Sequence, residues 1–118
     1  MGVATRRTDG KAVQLVAPVA VLGGDPVNIN GWRGIAVTDA GVGELVAVEV
    51  EPSVHELKLV NGTTGAAIGG IVYMHGATST SDVTLDLTAS GGVKFAKIVE
   101  VDSNDATVVF GRLLENNA

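Results

Sequence analysis

The sequence predicts an all-β protein built from short strands. Twenty valines, ten threonines and five isoleucines make 35 of the 118 residues β-branched, and such side chains favour strands over helices. Sixteen glycines fall mostly between the valine-rich runs, where they suit turns. The turn signals recur roughly every 8–12 residues, a spacing typical of a small barrel or sandwich.

Nine runs have the length and the patterning of strands. In residues 83–88 the apolar side chains occupy every second position, so that they share one face of the predicted strand. Turn pairs such as Asn30-Gly31 separate the runs. Residues 62–70 have glycine at or near both ends and are expected to form a loop or a single helical turn. The predicted strands are 12–16, 26–30, 33–38, 44–50, 54–60, 71–75, 83–88, 93–101 and 106–112.

The first eleven residues are expected to form an extended N-terminal arm, followed by one β-barrel domain over residues 12–118. Residues 1–11 show no apolar period, and Arg6, Arg7 and Lys11 outweigh a single aspartate, which gives the arm a side-chain charge of +2. The whole chain carries −5, so the rest of the chain carries −7. The arm and the domain are therefore expected to differ in their contacts.

The composition disfavours several classes of function. A net charge of −5 argues against a nucleic-acid partner, because neutralising phosphates requires a basic surface. The absence of cysteine excludes disulfides and thiolate metal sites. Only 3% of the residues are aromatic, fewer than a ligand pocket or a base-stacking surface usually needs. No run reaches the roughly 18 apolar residues of a membrane span, so we expect no membrane partner. Gln14 and Pro18 interrupt the apolar run 12–22 and no clean cleavage site follows it, so we expect no signal peptide.

The titratable side chains give weak support for a metal site. The only histidines are His55 and His75, and zinc would need further ligands from Glu56, Asp82 or Asp86. The two histidines fall on different predicted strands without the spacing of a zinc motif. Structural histidines are the favoured interpretation, and no metal site is predicted.

No catalytic residue is predicted either. None of the serines lies in a G-x-S-x-G turn, and Glu44, Glu49 and Glu51 follow one another along a strand in the manner of a solvated face. A soluble β-barrel carrier or ligand-binding module is the alternative to a structural protein. It would need a pocket with converging polar groups, or a modified lysine at a hairpin tip. The Gly-Asp-Pro-Val turn at 24–27 resembles biotinyl and lipoyl domains, but no lysine is suitably placed.

Trp32 is the only tryptophan, and it lies beside Arg33 between Gly31 and Gly34. Tryptophan and arginine dominate the energetics of protein interfaces, so the pair is a candidate subunit contact. The alternative is that Trp32 closes one end of a barrel as part of the core. The position of the pair at a glycine-bracketed turn slightly favours the interface.

Several short segments, taken in order, carry a family resemblance. They are LVAP at 15–18, GDPV at 24–27, GIAVTDA at 34–40, GELVAV at 43–48, IVY at 71–73, ATVV at 106–109 and RLL at 112–114. In this order they resemble the capsid decoration, or cement, proteins of tailed bacteriophages, over about residues 13–114. The arm and residues 74–92 depart from the family pattern.

The resemblance implies a structural protein without enzymatic activity or cofactor, with a β-barrel or β-tulip fold. Such proteins are made in the host cytoplasm and bind the major capsid protein on the outer surface of the virion. They form homotrimers at three-fold and quasi-three-fold positions and stabilise the expanded shell against packaged DNA. The expected capsid contacts are Val3, Arg6, Arg7 and Lys11, and the expected subunit contacts are Trp32 and Arg33.

Overall fold

The structure, a computed structural model, describes residues 12–50, 52–76 and 83–114. These residues form nine β-strands and no helix. In chain order the strands are β1 (Ala12–Val16), β2 (Pro26–Ile29), β3 (Trp32–Ala36), β4 (Leu45–Glu49), β5 (Val54–Lys58), β6 (Ile71–His75), β7 (Thr84–Asp86), β8 (Val93–Val101) and β9 (Val108–Leu113).

Every predicted strand is present, and the all-β prediction is confirmed. Residues 12–16, 71–75 and 93–101 coincide with the predictions at both ends, and the other strands differ by at most two residues at an end. Residues 62–70 form a loop without a helical turn. Backbone hydrogen bonds of 2.8 Å from Gly69 N to Ile98 O and from Ile98 N to Gly70 O fasten this loop to β8.

The strands form two antiparallel sheets, so the prediction of a closed barrel is wrong for the described residues. The N-terminal sheet has the order β1-β4-β3-β2, and the C-terminal sheet has the order β5-β9-β8-β6-β7. No strand of one sheet pairs with a strand of the other. The C-terminal sheet curls, and Val60 N donates to Leu85 O at 2.9 Å just beyond the end of β5. One bond between its two edges is not a ladder, and both sheets stay open.

Local sequence determines the hairpin between β2 and β3. Asn30 and Gly31 have φ values of 52° and 89°, the positive values that a two-residue turn of type I′ requires. Gly34 then brings β3 close to β4. A Cβ atom at this position would collide with the carbonyl oxygen of Glu49 and lie 2.9 Å from Cγ1 of Val48. Glycine is therefore needed at position 34, where the backbones of β3 and β4 approach each other closely.

Each sheet has its own apolar core. The core of the N-terminal sheet contains Ala17, Val21, Val27, Ile29, Ala36, Ala40, Val46 and Val48. The core of the C-terminal sheet uses larger side chains and contains Leu57, Leu59, Val72, Met74, Leu85, Phe95, Ala96, Ile98, Val109 and Leu113, joined by Ile35 from β3. Ile35 thus connects the two halves, because it belongs to one sheet and packs in the core of the other.

Candidate interaction surface

The outer face of the N-terminal sheet exposes a group of apolar side chains. Along β4, Leu45 and Ala47 alternate with the fully buried Val46 and Val48, so they point away from the core. Val16 lies directly opposite Leu45 in the register of β1 and β4. Val37 N donates to Ala47 O at 2.7 Å, which places Val37 beside Ala47. We call the surface formed by Val16, Val37, Leu45 and Ala47 the open face.

The open face is exposed and carries no ionisable side chain. The exposed fractions of Val16, Val37 and Leu45 are 59%, 54% and 62%. Val42, which is 71% exposed, lies in the neighbouring turn, where Gly43 N donates to Ala17 O at 2.8 Å. Soluble proteins seldom leave several large apolar side chains together on one surface unless that surface has a partner.

Trp32 and Arg33 lie at the opposite end of the same sheet. Trp32 begins β3 and faces Ile29 across the hairpin, whereas Val37 follows the other end of β3. Trp32 is 41% exposed, which is inconsistent with a plug buried in a core. Arg33 is half-buried, and its Nη1 donates to Gly31 O at 3.4 Å. The interface hypothesis for this pair stays a prediction.

The candidate capsid contacts in the arm, Val3, Arg6, Arg7 and Lys11, lie outside the described residues. The structure does describe Ala12, the residue that follows the arm. The arm joins the sheet at Ala12, the first residue of β1, and β1 is an edge strand. The arm is therefore attached to the strand that also carries Val16 of the open face.

The two histidines are in separate environments. His75 Nε2 lies 2.7 Å from Asp86 Oδ1 and 2.9 Å from Thr88 O, a contact that connects β6 to β7. His55 lies on β5, and β9 and β8 separate it from β6. Within the described ranges, no group of three His, Cys, Asp or Glu side chains is arranged to hold a metal. Asp82, one of the candidate zinc ligands, lies outside those ranges.

Glu49, Ser53 and His55 form a contact that the sequence pattern does not predict. Ser53 Oγ lies 3.0 Å from His55 Nε2, and Glu49 Oε2 lies 3.4 Å from the same nitrogen. In a catalytic triad the serine and the carboxylate use different nitrogens of the imidazole. Here both groups approach Nε2, and Ser53 Oγ also donates to Glu49 Oε1 at 2.9 Å. The cluster joins the end of β4 to the start of β5, so it connects the two sheets.

A cleft of about 280 Å³ lies between the two sheets. Pro26 and Ile35 line it from the N-terminal sheet, and Leu57 lines it from the C-terminal sheet. Of its charged lining residues, Glu56 and Lys58 are exposed. The third, the half-buried Asp25, already accepts a hydrogen bond from Leu22 N. A ligand site instead uses a few polar groups fixed inside a concave pocket and free to meet the ligand. The cleft therefore gives little support to the alternative of a carrier or ligand-binding module.

Among the carboxylates of the described residues, Asp105 is the one whose pKa responds clearly to its surroundings. The hydroxyl of Thr107 donates to Asp105 Oδ1 at 2.6 Å, and the backbone N–H of Thr107 donates to the same oxygen at 2.9 Å. These hydrogen bonds, with a smaller contribution from the charge of Lys58, lower the pKa of Asp105. The arrangement stabilises the turn that precedes β9.

The chain belongs to the phage cement protein family, because the model of that family matches residues 7–113. Comparisons with curated proteins and with solved structures found no match. The match confirms the resemblance that the ordered segments carry, and it extends into the arm as far as residue 7.

Membership of this family defines the general role of the protein. Phage cement proteins are structural and non-enzymatic, so the prediction that this chain is not an enzyme is confirmed. The protein binds the phage capsid as a decoration protein and is a component of the virion. No helix in the part of the chain that the structure describes is long and apolar enough to cross a membrane.

Proposed function

We propose that this protein coats the outer surface of the phage head as homotrimers at three-fold and quasi-three-fold positions. After synthesis in the host cytoplasm it binds the major capsid protein and stabilises the expanded shell against the pressure of packaged DNA. The observation that carries this proposal is the match to the phage cement family over residues 7–113. The exposed Glu56 and Lys58 of the cleft and the exposed apolar face also favour a binding surface over a ligand pocket.

Trimeric assembly would allow each capsid contact to be weak. A trimer that touches three capsid subunits at once turns the second and third contacts into intramolecular events with a high effective concentration. Each contact then needs little area or affinity. This accounts for a chain of 118 residues with only four aromatic side chains serving as a cement.

The arm is the proposed contact with the major capsid protein, through Val3, Arg6, Arg7 and Lys11. Its positive charge suits acidic groups on the shell, whereas the rest of the chain is acidic. The arm also leads into the edge strand β1. We propose that the arm binds by adding a strand to the edge of a capsid sheet, as peptide segments do in strand addition.

Trp32 and Arg33 form the proposed second contact, between subunits. Trp32 presents a large apolar surface that is 41% exposed, and Arg33 is beside it at the end of the β2–β3 hairpin. Exposed tryptophans of this kind contribute strongly when a partner buries them.

A cryo-EM reconstruction of shells incubated with the protein tests the proposed positions directly. We expect density for three copies around each three-fold and quasi-three-fold axis on the outer surface. Density on the inner surface, or single copies away from these axes, would contradict the proposal.

Deletion of residues 2–11 tests the role of the arm. Because the described sheets begin at Ala12, the truncated protein should keep its β-sheet circular dichroism and its thermal transition. Its co-sedimentation with shells should weaken. A truncated protein that decorates shells with the affinity of the full chain would show that the arm does not contact the capsid.

A further inference from the structure

We propose that the open face, formed by Val16, Val37, Leu45 and Ala47, packs against a second copy of this chain. The inference rests on the proposed trimeric assembly and assigns one of its contact surfaces. It concerns a different surface from Trp32, because the open face lies at the other end of the N-terminal sheet.

Among the edge strands of the described residues, β1 is the one whose own sequence has no protective feature. Native edge strands avoid unwanted pairing through charged residues, proline, short length or a cover. Strand β2 begins with Pro26 and its other residues are buried, and β5 carries Glu56 and Lys58. Strand β7 has only three residues. Strand β1, with the sequence AVQLV, has five residues and neither a charge nor a proline.

The state of the protein before assembly favours a second copy as the partner of the open face. The protein exists as a separate chain before it reaches the shell, and an exposed apolar face beside an edge strand with no charge or proline would promote aggregation during that time. A second copy is the one partner that is always present at that stage. Covering the face on the copy-to-copy side leaves other surfaces, including the arm, for the capsid.

Charge also favours this surface for contacts between copies. Each copy carries −5, so two copies repel unless their contact avoids acidic groups. The four residues of the open face carry no ionisable side chain, and the uncharged Gln14 lies opposite Ala47 on β1. Asp39 and Glu44 lie just outside the face in the sequence, and Glu49 follows Ala47 on the same side of β4. An apolar centre with a charged rim is the usual composition of a protein interface.

The geometry of a closed ring requires two different patches on each copy. In a cyclic trimer the contact is heterologous, which means that one patch of a subunit meets a different patch of the next. The open face provides one patch at one end of the N-terminal sheet. The end that holds Trp32 provides a second.

The face can form only the centre of such a contact. Its residues lie on three neighbouring chain segments about 4.8 Å apart, and the step from Leu45 to Ala47 gives it only about 7 Å of strand length. This is smaller than the roughly 800 Å² that each partner buries in a stable interface. The neighbouring Val42, which is 71% exposed, and the polar rim would supply the remaining area.

The test compares Val16→Asp with Val60→Asp, a matched control in the same residue type. Both valines are 59% exposed, but Val60 lies beside the C-terminal sheet, away from the open face. Sedimentation velocity gives the mass of each variant, circular dichroism its fold, and pelleting with shells its capsid binding. We expect an oligomer for the unchanged protein and for Val60→Asp. For Val16→Asp we expect self-association weakened by about tenfold or more.

Several results would overturn the inference. It is wrong if the unchanged protein is a monomer at about 100 μM, or if Val16→Asp keeps its mass. It is also wrong if that variant stays oligomeric but no longer binds shells, because the face would then contact the capsid. If Val16→Asp does not fold, the isosteric Val16→Thr takes its place. We expect Val16→Thr to weaken self-association by a smaller factor, and unchanged self-association would contradict the inference. Failure of the unchanged protein to bind shells would refute the proposed function. The inference would then still be tested by comparing the masses of the unchanged protein and Val16→Asp in solution.

Discussion

The two sheets achieve their stability in different ways. The N-terminal sheet buries alanine and valine, with Ile29 as its largest core side chain, and it exposes apolar residues on its outer face. The C-terminal sheet buries leucines, Met74 and Phe95, and its curled edges meet at the Val60–Leu85 hydrogen bond. Buried apolar area contributes about 25 cal/mol per Å², so the larger side chains give the C-terminal sheet the larger share of the stability.

This difference indicates a division of labour within one small chain. The C-terminal sheet resembles a domain that needs no partner, since four of its five strands pair in long ladders around a core of large side chains. The N-terminal sheet holds the edge strand β1, the open face and the exposed Trp32, while the C-terminal half exposes other apolar side chains, such as Val54, Val60 and Ile68. The half with the smaller core is the half that we expect assembly to complete.

Truncations in the two cores should show the difference most strongly. Leu57→Ala in the C-terminal core should lower the free energy of unfolding by about 3 kcal/mol, within the range for buried leucines. Val46→Ala in the N-terminal core removes less volume and should cost about 2 kcal/mol. Urea titrations of both variants measure these values. A larger cost for Val46→Ala would reverse the comparison.

Trp32→Ala tests the outward role of the N-terminal sheet. If Trp32 anchors a subunit or capsid contact, its truncation should weaken decoration of shells by about 2 kcal/mol, or roughly 30-fold. The protein should still melt cooperatively, because the side chain is already 41% exposed. Pelleting and melting on one preparation separate binding from folding. Normal decoration by a normally folded variant would remove Trp32 from the interface.

Hydrogen exchange compares the two sheets without mutation. In the unassembled protein, amides of β1 and β4 should exchange about tenfold faster than those of β8 and β9, because few large side chains cover them. On decorated shells, protection of β1 should rise. Equal protection of the two sheets before assembly would show that the small core is as stable as the large one.

Thr107→Val should have the smallest effect and concerns the C-terminal sheet alone. It removes the hydroxyl bond to Asp105 and leaves the backbone bond, so the pKa of Asp105 should rise towards its ordinary value. A lowered folded-state pKa gives stability above the unfolded-state pKa, and this stability is lost as the pH falls through the folded-state value. NMR titration measures the shift, and Thr107→Ser is the control that keeps the hydroxyl. An unchanged pKa in Thr107→Val would contradict this origin.

The sequence was sufficient to predict the strands because their signals are local. Alternation over 83–88 and the Asn30-Gly31 turn depend on neighbouring residues, and strand and turn are present close to where the pattern places them. The arrangement of strands into sheets depends on distant residues. Strand β5 pairs with β9 across about half the chain, and no turn spacing specifies that choice. This is why a barrel was predicted where two open sheets form.

The candidate surface was predictable in part. Trp32 was identifiable because it is a solitary aromatic residue at a turn. The open face was not, since Val16, Val37 and Leu45 look like ordinary strand residues. Their exposure follows from the arrangement of the strands. The register pairs Val16 with Leu45, and Leu45 alternates along β4 with the buried Val46 and Val48. The contact of Ser53 and His55 with Glu49 likewise depends on how the chain turns between the sheets.

The most direct test of the account is the heat stability of the shell itself. Purified protein is added to expanded, undecorated shells of the phage that carries it, and the temperature at which the shells disrupt is measured together with the amount of bound protein. The account predicts saturable binding on the outer surface and a higher disruption temperature at saturation. Protein that stays in the supernatant, or that binds to saturation and leaves the disruption temperature unchanged, would contradict a cementing role.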